Sequence, residues 1–136
     1  MSDYNDKQQV VLEYLDAVSL EKTESLRLLI SHNAVFEFPY ALPGKPKILN
    51  GRDKIIQHLI KQPFKSTFLE PIQFQVTLSG LLIAEIHSKE TFNETFKIYN
   101  QHLICTVSVV DGQIEHYKEI FNPILRLEGL LNLEKD

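Results

Sequence analysis

The segment from Asp111 to Pro123 constrains the fold more than any other part of the chain. Asp111-Gly112 predicts a tight hairpin turn, because glycine takes positive φ without steric cost and strand-like runs flank the pair. Asn122-Pro123 predicts a helix start, with asparagine as N-cap and proline as the first helical residue. Residues 95–110 and 113–121 are therefore predicted to be two paired strands.

The second of these strands has an unusual alternation, because neither face is wholly apolar or wholly polar. Side chains alternate between the two sides of a strand. One face is therefore expected to carry Glu115, Tyr117, Glu119 and Phe121, and the other Ile114, His116, Lys118 and Ile120. Burial between two aromatics favours the protonated form of Glu119, which suits general acid/base chemistry. The alternative is a solvated face on which Glu119 pairs with a lysine.

The remaining chain predicts helices first and strands afterwards. The expected helices are Asp6–Leu20, Thr23–Ile30, Gly51–Lys61 and Ile124–Leu131. The expected strands are Ala34–Tyr40, Phe68–Leu78, Leu81–Thr91 and the two strands described above. The segment Leu42–Asn50 is expected to be a loop. This order predicts an α+β fold with helices packed on one face of a curved antiparallel sheet. Long strands that curl around a helix leave a cone with a cavity at its open end. We expect residues 1–136 to form one domain.

Charge and composition exclude several classes of function. The net charge is −4 and basic residues do not cluster, so nucleic acid is not an expected partner. The N-terminal residues are polar, and no apolar run approaches a membrane span, which predicts a cytoplasmic protein without a membrane partner. Cys105 is alone and is expected to be a buried structural thiol. The five histidines lack metal-site spacing, and no glycine-rich phosphate loop is present, so neither metal nor cofactor is expected.

Four short motifs suggest a family. They are Val10-Val11-Leu-Glu-Tyr14, Asn33-Ala-Val-Phe-Glu-Phe-Pro39, Gly51-Arg-Asp-Lys-Ile55 and Gly112-Gln-Ile followed by Asn122-Pro123. In order and spacing they resemble the nuclear transport factor 2-like superfamily, which contains ketosteroid isomerase and the SnoaL-like polyketide cyclases. The ending Tyr117–Pro123 resembles the phenazine biosynthesis A/B proteins, which are cavity-bearing dimers that handle small cyclic ketones. This resemblance implies a cone-shaped α+β barrel, the cystatin-like roll.

The resemblance to ketosteroid isomerase does not extend to its catalytic base. Its oxyanion tyrosine falls on Tyr14, and its second oxyanion donor falls near Gln101. The position of its catalytic aspartate is occupied by Phe38. The isomerase route of proton transfer is therefore excluded.

The phenazine A/B pattern is retained where it matters for chemistry. Its histidine on the third helix and its glutamate on the last strand fall on His58 and Glu119. The resemblance implies that Glu119 moves protons while His58 and Tyr14 orient and polarise a cyclic carbonyl substrate. The expected cavity wall is aromatic and consists of Phe36, Phe38, Tyr40, Tyr117 and Phe121. Two alternatives stay open: a binding module that holds a small hydrophobic ligand without converting it, and a domain whose aromatic side chains fill the cavity.

The outer face of the predicted sheet is too apolar for a fully solvated surface. There Ile104, Ile114 and Ile120 are expected to alternate with His102, His116 and Lys118. The family register also places Glu85 and His87 outside the cone. This mixed pattern is compatible with a self-complementary contact, so a homodimer is expected through the outer sheet face.

Overall fold

The computed structural model describes residues 4–131; residues 1–3 and 132–136 lie outside that range. The chain forms, in order, α1 (Tyr4–Ser19), α2 (Thr23–Leu29), β1 (Ile30–Glu37), β2 (Ile48–Asn50), α3 (Arg52–Ile60), β3 (Phe64–Val76), β4 (Leu82–Phe92), β5 (Ile98–Val110), β6 (Gln113–Ile120) and α4 (Pro123–Leu130). Within residues 4–131, the helices are all too short or too polar to cross a bilayer.

The six strands form one curved, unclosed sheet in the order β2-β1-β6-β5-β4-β3. The sheet wraps around the N-terminal helices, which confirms the predicted α+β cone. It is mixed rather than wholly antiparallel, because β1 and β6 run parallel while the other neighbours are antiparallel. A parallel pair needs a long crossover. Here the crossover is the whole chain between β1 and β6, so alternation within either strand could not reveal it.

Tertiary pairing moves three of the predicted boundaries. Ile30 begins β1 instead of ending a helix, because it is fully buried and pairs with Ile114. Residues 48–50 of the predicted loop form the short edge strand β2 against β1. Strand β3 begins at Phe64 rather than Phe68, because Phe64 pairs with Phe92 at the far end of β4.

A β-bulge in β6 changes the predicted assignment of its faces. Val109 pairs with Ile114 and Ser108 pairs with His116, so Glu115 is an extra residue on its strand. Glu115 is consequently exposed, and Ile114 is fully buried in the core. The prediction that Ile114 lies on the outer face is therefore wrong, and so is the prediction that Glu115 shares the inner face with Glu119.

Helix α4 is fixed to the sheet by polar contacts at both ends. The side chain of Asn122 accepts a hydrogen bond from the backbone N–H of Ile124, which confirms the predicted N-cap. The amide of Gln101 on β5 donates to the carbonyl of Asn122 at 2.9 Å and accepts from its N–H at 3.1 Å. At the other end, the hydroxyl of Thr95 donates to the carbonyl of Gly129 at 2.9 Å. These contacts determine where the side chains of α4 meet the interior.

Replacing Gly129 with alanine is expected to displace α4. A Cβ at Gly129 would lie 2.3–2.5 Å from three ring atoms of Phe92, so ring and helix must separate. Overpacking of this kind destabilises a fold by about 1–3 kcal/mol. Urea unfolding measures the loss. Ile124→Ala on the same helix is the control, because Ile124 is 62% exposed and should change stability by less than about 0.5 kcal/mol. Equal stabilities would contradict this packing.

Candidate functional site

A cavity of about 340 Å³ lies between α1, α3 and the inner face of the sheet. Its apolar wall includes Leu15, Val18, Phe38, Leu59, Phe64 and Leu103. Four polar side chains, buried or nearly so, also line it: Tyr14, Tyr117, Glu119 and Arg126. Glu21 and Lys65 line it as well; both are largely exposed, and they form an ion pair at 3.9 Å. The lining also includes the polar side chains of Ser19, Gln62, Ser66 and Asn93, so the wall is mixed. Polar groups that converge on a cavity beside apolar side chains can orient a small molecule.

Glu119 is the carboxylate of this cavity, and its side chain is 12% exposed. The hydroxyl of Tyr117 donates to Oε1 of Glu119 at 2.8 Å. Because that proton is committed to Glu119, the thiol of Cys105 is the donor in its 3.2 Å contact with the Tyr117 oxygen. Burial and then nearby acidic groups hold the pKa of both Tyr117 and Cys105 well above their usual values. Both therefore remain protonated donors, and Cys105 is the buried thiol that was predicted.

Arg126 of α4 joins Glu119 to a second buried carboxylate, Glu90 of β4. Its Nη2 lies 2.8 Å from Oε2 of Glu90 and 3.3 Å from Oε2 of Glu119, and its Nε lies 3.2 Å from Oε1 of Glu90. The Arg126 side chain is 12% exposed and that of Glu90 is fully buried. The guanidinium also stacks on Phe121, with 3.7 Å from its central carbon to the ring centre. Arg126 is thus held in one orientation by charge and by packing.

The charges of this cluster are unequal, because one cation serves two carboxylates. Burial raises the pKa of Glu90, and the charge of Glu119 raises it further, while Arg126 opposes both effects. Burial alone would lower the pKa of Arg126, but the two carboxylates raise it overall, so Arg126 stays charged. Glu90 is therefore the member of the cluster that takes up a proton readily.

Tyr14 contributes a hydroxyl to the same cavity. Its ring is buried and packs against the ring of Tyr117, with centres 5.3 Å apart. Among residues 4–131, no group forms a hydrogen bond with this hydroxyl, and it is not sealed from solvent. Burial, followed by the charge of Glu119, raises the pKa of Tyr14 well above its usual value. Tyr14 is consequently a neutral donor available to a ligand in the cavity.

His58 lies in a neighbouring pocket of about 40 Å³ and not in the cavity of Glu119. The two pockets share Phe38, Gln62, Phe64 and Arg126 as walls. The amide nitrogen of Gln62 lies 2.8 Å from Nε2 of His58 and can only donate, so Nε2 accepts. Burial lowers the pKa of His58, and the cations Lys45 and Arg126 lower it further, which keeps the ring neutral. The expectation that His58 and Glu119 line one cavity is not met.

The other sequence-predicted site residues are divided between wall, core and surface. Phe38 lines both pockets, and Phe121 lines the smaller one. Phe36 is fully buried against the rings of Tyr14 and Tyr117 and is absent from the lining of either pocket. Gln101 is buried, but it anchors Asn122. Tyr40 is 55% exposed in the turn after β1.

Two residues of the cluster, Glu90 and Arg126, are missing from the sequence predictions. The alternation that places Glu85 and His87 outside the cone also places Glu90 inside. Strand β4 keeps this alternation of buried and more exposed residues along its whole length. That signal was sufficient to find Glu90. Arg126 carries no comparable signal, because a helix of eight residues is too short to show which face of it is buried.

Comparison with known proteins places this geometry in a family. No family model matches the chain. The chain is 35% identical over 117 residues to the uncharacterised protein YesE of Bacillus subtilis strain 168, covering 83% of this chain and 80% of that protein. It is 32% identical over 108 residues to the uncharacterised PhzA/B-like protein PA3332 of Pseudomonas aeruginosa, covering 78% of this chain and 77% of that protein.

Two solved structures are similar to the chain over almost its whole length. A provisionally assigned isomerase of Bacillus subtilis is similar with a TM-score of 0.86 and 25% identity, over 95% of both chains. A nuclear transport factor 2-like protein of Burkholderia xenovorans is similar with a TM-score of 0.79 and 12% identity, over 96% of this chain and 100% of that one. The second likeness concerns the fold alone.

Proposed function

Because the chain belongs to the PhzA/B-like proteins of the nuclear transport factor 2-like superfamily, we propose that it is a cofactor-free enzyme for acid/base chemistry on small cyclic carbonyl compounds. The observation that carries this proposal is the position of Glu119. It is a nearly buried carboxylate on the wall of a cavity lined by both apolar and polar side chains, held by Tyr117 and Arg126.

In the proposed reaction Glu119 is the base. Its carboxylate takes a proton from the carbon next to a substrate carbonyl, and the electron pair of that C–H bond forms the carbon–carbon double bond of an enolate. The carbonyl π electrons move to oxygen. Glu119 then returns the proton to the same or to another carbon. Isomerisation and aldol-type cyclisation contain such a step, whereas an imine-forming condensation would use the carboxyl of Glu119 as a general acid that protonates the departing hydroxyl of the carbinolamine.

Two other side chains have supporting roles in this proposal. Tyr14 donates its free hydroxyl to the substrate oxygen inside the cavity. His58 is neutral, lies in the adjoining pocket and contacts a part of the substrate that extends past Phe38. Its ring is tilted against that of Phe38, with centres 5.2 Å apart. His58 is thus suited to orienting the substrate and not to exchanging protons with Glu119.

The second candidate is a dimeric module that binds a small hydrophobic ligand and leaves it unchanged. Phe38 favours this alternative, because it occupies the position of the isomerase base and adds an apolar wall to both pockets. Both candidates predict a small cyclic ligand in the same cavity. They differ in whether Glu119 exchanges a proton with it.

Hydrogen–deuterium exchange into cyclic ketones separates the two candidates without knowledge of the natural substrate. Cyclohexanone, 2-cyclohexenone and 2-tetralone are incubated with the protein in D₂O, and loss of the α-proton signals is followed by NMR. We expect the wild-type protein to accelerate exchange into at least one ketone. Glu119→Gln should abolish the acceleration, because an amide cannot accept the proton.

Glu115→Gln is the matched control, because it makes the same change on the same strand at an exposed position. It should exchange at the wild-type rate. Ketones that bind, as seen by saturation-transfer NMR, without any accelerated exchange would favour the binding module. Equal acceleration by Glu119→Gln would reject Glu119 as the base.

We also propose that the protein is a homodimer through the outer face of the sheet. Ile104 is 37% exposed and Ile120 is half-buried on that face. They lie beside polar pairs such as His102 and Glu85, whose side chains are 2.7 Å apart. An apolar surface with a polar surround is typical of a protein–protein interface.

A further inference from the structure

We propose that Arg126 is a catalytic residue whose Nη1 binds the oxyanion formed when Glu119 removes a proton from the substrate. This inference rests on the proposed function, since it assigns the protein cation that binds the negatively charged substrate oxygen. Arg126 belongs to α4, and no sequence motif indicated a role for it. The geometry points to it for three reasons.

The first reason is an unused donor. Among residues 4–131, Nε and Nη2 of Arg126 make all of its hydrogen bonds, and these go to Glu90 and Glu119. Nη1 donates to none of these residues. Nη1 is also accessible to solvent. Among the described residues, the side-chain nitrogen that is both buried and without a hydrogen-bond partner is Nε of Arg52, and not Nη1 of Arg126. Arg126 lines both pockets, so this donor is available to a ligand.

The second reason is that the donor is held in a fixed orientation. The guanidinium carbon lies 3.7 Å from the ring centre of Phe121 and 4.8 Å from that of Phe64. These contacts restrain the guanidinium plane, and the two-point contact with Glu90 fixes its rotation. A donor that is already oriented stabilises a developing charge without reorganisation cost. A flexible surface arginine would lack this advantage.

The third reason is the movement of charge during the reaction. Before proton transfer the negative charge is on Glu119, and Nη2 of Arg126 lies 3.3 Å from it. After the transfer Glu119 is neutral and the charge is on the substrate oxygen. The same cation can stabilise both states, because Nη1 and Nη2 are the two ends of one guanidinium edge. In the part of the chain that the structure describes, the adjoining pocket is lined by Lys45 and neutral His58 but by no carboxylate that would compete for Arg126.

The test uses a probe that reports its own ionisation. 4-Nitrophenol absorbs at different wavelengths as phenol and phenolate, and 4-nitroanisole has nearly the same shape but cannot ionise. Binding is measured in Glu119→Gln, which imitates the enzyme after proton transfer. We expect this variant to lower the pKa of bound nitrophenol by about 1–3 units, the size produced by a guanidinium beside an acidic group. It should bind nitrophenol at least tenfold more tightly than nitroanisole above the free probe's pKa.

The comparison variant combines Glu119→Gln with Glu90→Gln and Arg126→Gln. It removes the cation without leaving Glu90 unpaired in the interior, which protects the fold. In this variant, bound nitrophenol should ionise as it does in water, and the preference over nitroanisole should disappear. A second variant, Glu119→Gln with Arg126→Lys, keeps the charge but loses the flat two-donor edge and should retain part of the effect.

Three results would overturn the inference. One is an unchanged pKa of nitrophenol in the Glu119→Gln protein, and another is the same lowered pKa after Arg126 is removed. The third is failure of both probes to bind at millimolar concentration, because a cavity of about 340 Å³ must admit a single ring. Phenolate binding without ketone exchange would leave Arg126 as an anion-binding group and reject the enzyme. Ketone exchange without phenolate binding would retain the enzyme and reject Arg126.

Discussion

Replacing Arg126 with methionine is expected to destabilise the protein by about 3–5 kcal/mol at neutral pH, the usual result of removing one partner from a buried ion pair. Methionine fills a similar volume and can still pack on Phe121, so the loss is electrostatic. The variant leaves Glu90, whose side chain is fully buried, and Glu119, which is 12% exposed, without their cation. The loss has an upper limit, because a buried carboxylate without its cation can take up a proton instead of remaining charged. Keeping a carboxyl protonated costs about 1.4 kcal/mol for each pH unit above its ordinary pKa.

The deficit should depend on pH in a defined direction. Burial already raises the pKa of Glu90 in the wild-type protein, and loss of Arg126 raises it further. A folded-state pKa above the unfolded value contributes stability that is complete below the unfolded value and is lost as pH rises through the folded one. The difference between variant and wild type should therefore become smaller towards acid pH, as Glu90 takes up its proton, and be largest at pH 7 to 8.

Urea unfolding at pH 4, 5, 6 and 7.5 measures this difference. Arg27→Met is the matched control, because Arg27 pairs with Asp53 at 3.2 Å on the surface, where the two side chains are 46% and 74% exposed. Surface pairs contribute about 0–1 kcal/mol, so the control should show a small loss at every pH. A deficit for Arg126→Met that stays constant with pH would mean that packing on Phe121, and not charge, explains its role.

The fold was largely predictable from the sequence because its signals are local. The Asp111-Gly112 turn, the Asn122-Pro123 cap and the alternation along β4 and β5 are confirmed at their predicted positions. The bulge at Glu115 was not predictable. The mixed apolar and polar pattern of β6 is compatible with uninterrupted alternation and also with one extra residue that exchanges the two faces. The parallel contact of β1 with β6 joins distant segments, and local periodicity carries no information about it.

The candidate site was predictable only where one strand supplies it. Tyr117 and Glu119 are two residues apart, so alternation alone places them together. The contact of Glu119 with Arg126 depends on how α4 folds back over the sheet, which is determined by the hydrogen bonds of Gln101 on β5 and by the close packing of Gly129 on Phe92 of β4. His58 was correctly expected to point inward, but the wall formed by Phe38 and Phe64 places it in a separate pocket. Such walls arise from side chains of several elements at once.

Replacing Glu119 with glutamine is expected to lower ketone exchange by about 10²–10⁴-fold, the usual contribution of a general base. The same substitution should leave the free energy of unfolding unchanged or raise it by up to about 2 kcal/mol. In the wild-type cluster one cation serves two carboxylates, and the charge of Glu119 disfavours ionisation of Glu90. Glutamine removes this repulsion and can still accept the hydroxyl proton of Tyr117.

Opposite changes in activity and stability would identify Glu119 as a residue retained for chemistry and not for folding. Exchange rates are compared by NMR, and stabilities by urea unfolding at pH 7.5, with Glu115→Gln unchanged in both. A stability loss of several kcal/mol in Glu119→Gln would instead make Glu119 a structural partner of Arg126, and lost exchange would then reflect a damaged fold. If the protein is more stable without the carboxylate of Glu119, then folding does not require that carboxylate. Its presence in the cavity is then explained by function.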